Sequence, residues 1–278
     1  MIPFRAFAAG ALLALITVAP ARGQRPLRTE DPEPLPAGQV AIEAGAGYEW
    51  DRGYPASGLR GDLVRLIRVG FRAGLGGLAE FQGESGYNRL RIEGQDPDAL
   101  LAGELRLKGD TTGDIEDPVI ATKIRLREET ALTPAVALRV ATRLPSAGND
   151  SGLGLDTFDF HLQLLAGKSL GATRLVGNFG LGVLAVPERG DRQNDVLLYG
   201  ASLARPVGAA LTLVGEVNGR VDVSGGAPIG TEDRGEARLG ARWARGRVQL
   251  DGVLLAGLYE PDPDVGVELG ATYFLQAD

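Results

Sequence analysis

Charged side chains recur at every second position in several segments of this sequence. In residues 120–127, Lys123, Arg125 and Arg127 alternate with apolar residues, and residues 135–144 place Arg139 and Arg143 in the same way. Charges gathered on one face could bind ions or line a water-filled passage that selects small polar solutes. The candidate pore-lining residues are Lys123, Arg125, Arg127, Arg139, Arg143, Glu80, Glu84, Glu216, Arg220, Glu236, Arg238 and Arg242.

Residue types suited to covalent or metal chemistry are scarce. The sequence has no cysteine, and its single histidine is His161, so thiolate and polyhistidine metal sites are excluded. A hydrolase would need a serine activated by that histidine. Ser202 could serve only if the sixth and eighth predicted strands lay close together, and they are not neighbours. We therefore expect no enzyme activity, no catalytic residue, no metal and no cofactor.

The alternation of charge predicts the elements that carry these residues. A strand, whose period is two, sorts polar and apolar residues onto opposite faces, whereas a helix would scatter them. By this criterion we predict twelve strands of about 9–13 residues, a length that lets a tilted strand cross the hydrocarbon of a membrane. We predict an all-β fold, a single closed up-and-down antiparallel transmembrane barrel.

The connections between these segments alternate in length. Long polar connections are predicted at 51–61, 88–113, 145–156, 186–195, 224–234 and 259–264, and tight turns at 74–77, 128–134, 170–173, 207–209 and 245–246. Outer-membrane barrels have long extracellular loops and short periplasmic turns. Aromatic residues fall at both ends of the strands, as membrane girdles require: Trp50, Tyr87, Phe158 and Tyr259 beside long loops, and Phe71, Trp243 and Tyr273 at the other end.

The N-terminal part of the sequence has two sections. Residues 1–23 have the pattern of a cleaved signal peptide, with Arg5 before a short apolar run, which implies export. Residues 24–38, rich in proline and charge, are predicted as a periplasmic segment at the mouth of the barrel or partly inside it, and 39–278 as the barrel. Without Arg5 and Arg22 the chain has 27 basic and 36 acidic residues, a formal charge of −9, which argues against nucleic-acid binding.

Short motifs along the mature chain resemble the outer-membrane barrel family labelled for the MetA pathway of phenol degradation. The resemblance spans residues 25–274, and the order and spacing of the motifs carry it: 25–27, 29–32, 38–40, 47–49, 112–114, 144–147, 152–154, 192–195 and 215–218. The resemblance implies a transporter of the bacterial outer membrane, with a link to aromatic compounds, and supplies no catalytic residues. Such barrels usually end at an aromatic residue, whereas four residues follow Phe274 here.

Two functions agree with these observations. The first is a channel for passive passage of small molecules, aromatic or anionic solutes among them, through a charge-lined lumen. The second is an occluded barrel with a structural or surface-interaction role through its loops. The expected partners are outer-membrane lipid and lipopolysaccharide, the barrel-assembly machinery and a small-molecule solute. Loop 88–113 would gate or seal the lumen if it folded inward, and would favour surface contact if it projected outward.

Overall fold

The computed structural model describes residues 24–187 and 192–276. The predicted signal peptide, residues 1–23, lies outside the described residues. In the described part, twelve antiparallel strands pair in sequence order and β12 pairs with β1, which closes the barrel and confirms the predicted fold. The strands are β1 (Gln39–Tyr54), β2 (Leu59–Leu75), β3 (Ala79–Gln95), β4 (Thr111–Arg127), β5 (Ala135–Arg143), β6 (Asp159–Leu170), β7 (Thr173–Ala185), β8 (Gln193–Pro206), β9 (Leu211–Asp222), β10 (Arg234–Arg245), β11 (Val248–Gly257) and β12 (Val265–Gln276).

The two faces of the wall differ in chemistry along every well-patterned strand. On β7, Leu175, Phe179 and Leu181 are exposed on the outside, while Val176 and Asn178 are buried on the inside. Successive side chains of a strand point to opposite faces, so the period-two pattern of the sequence becomes an apolar outer belt around a polar lumen. Among the described residues, no helix is long and apolar enough to cross a membrane.

Strands β1 to β4 are longer than predicted. They have 16 or 17 residues each, and most of the extra length lies at the end of the barrel that carries the long loops. The predicted loops 51–61 and 88–113 are therefore largely strand: only residues 55–58 and 96–110 connect these strands, the latter with a short 3-10 helix at Ala102–Glu104. The prediction of long loops was wrong at these two places, because polar residues at the long-loop ends of β1 to β4 were assigned to loops although they belong to strands that extend beyond the rest of the barrel wall.

Aromatic side chains are exposed on the outer face near both ends of the strands. Trp50, Tyr87 and Phe158 lie towards the long-loop end, and Phe71, Trp243 and Tyr273 lie towards the short-turn end. This placement agrees with the two predicted girdles. It marks the edges of the apolar belt between them.

Candidate functional site

The lumen receives nearly all of the charged residues predicted to line it. Their carboxylates and cationic groups bond to inward groups of neighbouring strands or to residues of the chain inside the barrel. Those facing the lumen are Lys123, Arg125, Arg139, Arg143, Glu80, Glu84, Glu216, Arg220, Glu236, Arg238 and Arg242.

Arg127 is the exception among the predicted residues. A register shift between Arg125 and Arg127 places Arg127 opposite Val136, which lies on the outward face of β5 with Leu138. The Arg127 side chain is exposed and its Nε donates to the carbonyl oxygen of Pro134, 3.2 Å away. The alternation that predicted an inward position ends at this irregularity, so Arg127 lies outside the lumen.

Three inward arginines of β2 were not predicted. Arg65, Arg68 and Arg72 are buried in the lumen, although a spacing of three between the first two contradicts a period of two. A bulge between Arg65 and Ile67 resolves the contradiction, because Leu66 and Ile67 both become exposed outside, at 52% and 50%. Three arginines among the otherwise uncharged residues 63–72 were the signal in the sequence that could have found them.

Residues 24–38, here called the lumen segment, lie inside the barrel rather than outside its mouth. The segment joins the start of β1 at Gln39, and the Gly38 N–H donates to the Gly74 carbonyl at 3.0 Å. The Leu35 N–H donates to the Glu80 carboxylate at 2.7 Å. A Cβ on Gly74 would lie 2.1 Å from the carbonyl oxygen of Pro36, so the wall needs glycine there for the segment to pass.

Acidic residues of the lumen segment meet the basic part of the wall. Lys123 Nζ lies 3.4 Å from a Glu30 carboxylate oxygen and donates to the Asp31 carbonyl at 2.9 Å. Arg125 donates to Glu33 at 2.9 Å. The ion pairs between β4 and the segment therefore fix residues 30–33 against that side of the barrel.

The middle of the segment is held through its backbone. Asn178 on β7 accepts from the Glu30 N–H at 2.6 Å and donates to the Glu30 carbonyl at 2.8 Å. On β9, the two carboxylate oxygens of Glu216 accept the N–H groups of Arg28 and Thr29 at 2.7 and 2.8 Å. Wall side chains thus supply the partners that a buried, extended backbone requires.

The far end of the segment returns towards the strand from which it started. Arg242 and Gln249, on β10 and β11, donate to the Arg25 carbonyl at 2.9 and 3.1 Å. The Arg25 guanidinium occupies space that a Cβ on Gly45 or Gly270 would fill, on β1 and β12. From Leu35 to Arg25 the segment therefore follows the inner wall around most of its circumference.

Ion pairs also fill much of the lumen. Arg238 donates to Glu268 at 3.1 Å, Arg65 donates to Glu49 at 2.7 Å, and all four side chains are at least nine-tenths buried. Other charged side chains of the wall and the segment keep contact with water, among them Glu84 at 43% exposure, Arg28 at 28%, Glu116 at 25% and Arg143 at 24%. These residues mark the part of the lumen that a small polar solute could reach.

Residues of two loops partly cover the opening of the barrel at its long-loop end, packing against the inner face of β2 and β3. Leu59, Leu63 and Leu90 point inward from β2 and β3 and pack with Leu105 and Leu107 of loop 96–110, and with Leu153 of the loop after β5. Backbone bonds tie this cover together, from the Leu101 N–H to the Ala56 carbonyl at 2.7 Å and from the Arg106 N–H to the Asp150 carbonyl at 2.9 Å. Loop 96–110 therefore folds inward.

His161 and Ser202 lie on β6 and β8, with β7 between them. His161 faces the lumen beside Gly182, where a Cβ would lie 3.3 Å from the imidazole Cδ2. Ser202 is the cross-strand partner of Glu216. The two side chains are thus on separate strands, as the sequence suggested.

Comparison with known proteins supports the fold. No known family model matches the sequence, and no curated protein matches it either, so the resemblance to the phenol-degradation family stays a prediction. Among solved structures, the COG4313 outer membrane channel from Pseudomonas putida F1 matches with a TM-score of 0.59 and 15% identity, over 88% of this chain and 98% of that chain. The NanC porin matches with a TM-score of 0.51 and 8% identity, over 84% of this chain and 98% of that chain. The chain therefore has the fold of an outer-membrane β-barrel.

Proposed function

We propose that this protein is an outer-membrane channel for the passive passage of small polar molecules. The observation that carries the proposal is the division of one closed wall into an apolar outer belt and a charged inner face. A bilayer demands such a belt, and a closed ladder satisfies the backbone groups of its strands within lipid. The short turns then lie in the periplasm, and the loops lie outside.

The lumen supports passage of small solutes rather than large ones. The lumen segment narrows the periplasmic half, and the loop cover narrows the opposite mouth. The lumen also holds water-accessible groups of both signs, the carboxylates of Glu84 and Glu116 and the guanidinium groups of Arg28 and Arg143. Charges of both signs along a narrow path favour small polar solutes with matching charges. Preference for aromatic solutes rests on the family resemblance alone.

The competing function is an occluded barrel that acts through its loops. The specific observation in its favour is the burial of lumen charges: Lys123 is 1% exposed and Glu80 is fully buried, and they lie 3.2 Å apart. The two functions differ in whether a continuous path remains past the lumen segment. If the buried ion pairs leave no such path, the periplasmic half is closed.

Single-channel recording separates the two functions. The mature chain and a variant that lacks residues 24–34 are refolded and inserted into planar bilayers under a salt gradient. We expect discrete steps from the mature chain and larger steps from the shortened one. If only the shortened chain conducts, the segment closes a real channel. If both barrels are folded and silent, the channel is refuted and the occluded barrel remains.

A further inference from the structure

We propose that the outer face of β3 and β4, just above the aromatic girdle, binds the phosphate groups of lipopolysaccharide. The site consists of Tyr87, Arg89, Arg91 and Thr111. The proposal rests on the outer-membrane location given above, and it concerns the outside of the wall rather than the lumen. Its failure would therefore leave the channel untouched.

The position of the two arginines follows from the strand pattern. Tyr87, Arg89 and Arg91 alternate with inward-facing Asn88 and Leu90, so all three point outward, and all three are exposed. Two residues of a strand span about 6.8 Å, so Arg89 and then Arg91 lie one such spacing and two such spacings beyond Tyr87 along β3, towards the long-loop end. A tyrosine of the girdle lies at the edge of the hydrocarbon, where lipid headgroups begin. The arginines therefore stand at headgroup level.

The donors at this place lie close together. Gly113 on β4 is the cross-strand partner of Arg89, and a Cβ there would lie 3.0 Å from the Tyr87 hydroxyl. The Tyr87 ring thus leans across Gly113 towards the level of Arg89. Arg89 Nη2 donates to Thr111 Oγ1 at 3.4 Å, and Arg91 is the cross-strand partner of Thr111. Two guanidinium groups and two hydroxyls face one patch of the outer surface.

These arginines differ from those inside the barrel. In the described part of the chain, neither Arg89 nor Arg91 has a carboxylate within 4.0 Å, and Arg91 makes no side-chain hydrogen bond. The nearby carboxylates are Asp62 and Glu93. Asp62, on β2, is the cross-strand partner of Arg91 but accepts the Tyr48 hydroxyl at 2.6 Å and the Asp51 N–H at 3.3 Å, while Glu93 lies two residues farther along β3. The guanidinium donors are left for an external anion, and phosphate fits their planar geometry.

The test compares two double substitutions with the same change in charge. Arg89→Gln with Arg91→Gln removes the proposed site. Arg127→Gln with Arg205→Gln is the matched control, because both arginines are exposed on the outer face at the opposite end and each donates to one neutral oxygen. Refolded full-length mature protein in detergent is titrated with lipopolysaccharide and with its dephosphorylated form, and binding is measured by native mass spectrometry.

We expect the parent and the control to bind the phosphorylated lipid equally, and the Arg89/Arg91 variant to bind at least about tenfold more weakly. Dephosphorylated lipid should bind all three as weakly as the phosphorylated lipid binds that variant. Tyr87→Phe should weaken binding to a smaller extent.

Equal binding by parent and Arg89/Arg91 variant would overturn the site. Loss of binding in EDTA would assign it to divalent cations on Asp62 and Glu93, and displacement by millimolar inorganic phosphate would reduce it to a general anion site. Unchanged conductance of the variant keeps this test separate from that of the channel.

Discussion

Arg174 on β7 holds Asp31 of the lumen segment through two parallel hydrogen bonds, Nε to Oδ2 and Nη2 to Oδ1, each 2.9 Å long. The same guanidinium also bonds to Glu129, in the turn after β4. Bidentate pairing of arginine and carboxylate combines charge with fixed geometry. One arginine therefore joins the segment, the wall and the short turn after β4.

Asp31→Asn should loosen the segment. The substitution removes the charge that Arg174 pairs with and leaves an amide that matches only half of its donors. We expect more frequent or longer openings in single-channel recordings, with the fold intact. Asp195→Asn, on the outside of β8, is the control with the same chemical change and should record like the parent. Identical recordings from all three proteins would contradict a gating role for this pair.

Leu239→Arg should impair assembly of the barrel. Leu239 lies on the exposed outer face of β10 opposite the exposed Leu254 of β11, in the middle of both strands, and a charge near the middle of the lipid face costs about 2–4 kcal/mol. Folding yield into vesicles, read from heat-modifiable mobility in gels, measures the effect. Leu132→Arg adds the same charge in the exposed turn after β4 and should fold normally. Normal yield for Leu239→Arg would refute the assignment of that face to lipid.

Glu84→Gln should shift ion preference towards anions. The Glu84 carboxylate faces the lumen and is 43% exposed, and it lies 3.2 Å from Arg68. Removing its charge lowers the local concentration of cations and leaves the cation of Arg68. The reversal potential under a salt gradient reports the change. An unchanged reversal potential in a conducting variant would place the ion path away from Glu84.

Acid should loosen the turn after β4. Partial burial raises the pKa of Glu129, but hydrogen bonds from Lys168 and Ser169 outweigh it and hold the pKa at about 2, below the ordinary 4.5. Because the folded pKa is depressed, the stability it contributes is complete above pH 4.5 and is lost as the pH falls towards 2. Hydrogen exchange at Ser169, whose N–H donates to Glu129, should therefore accelerate over this range. In Glu129→Gln, the acceleration should be absent.

The sequence was sufficient to predict the barrel and most of the lumen because both depend on a local rule. Alternation along a strand decides which face a residue occupies, and it correctly placed residues such as Lys123 and Arg238. The rule fails at bulges, because a bulge breaks the alternation and the amino-acid composition does not reveal where it lies. For this reason Arg68 faces the lumen although it was not predicted there, and Arg127 lies outside although it was predicted to face the lumen.

The course of the lumen segment could not be predicted from local pattern. Its position depends on contacts such as Asn178 with Glu30 and Glu216 with Thr29, which join residues 148 and 187 positions apart. Proline and charge excluded a central strand, but they could not distinguish a segment at the mouth from one bound inside. The glycines that make room for it, Gly74 and Gly270, are recognisable only once the wall and the segment are seen together.

The contacts of the lumen segment impose an order on biogenesis. The segment precedes β1 in the chain, yet its partners extend from Glu80 on β3 to Glu268 on β12. Its complete binding site exists only after the last strand has joined the first. The part of the described chain that comes first in sequence can therefore complete its contacts only after the barrel has closed.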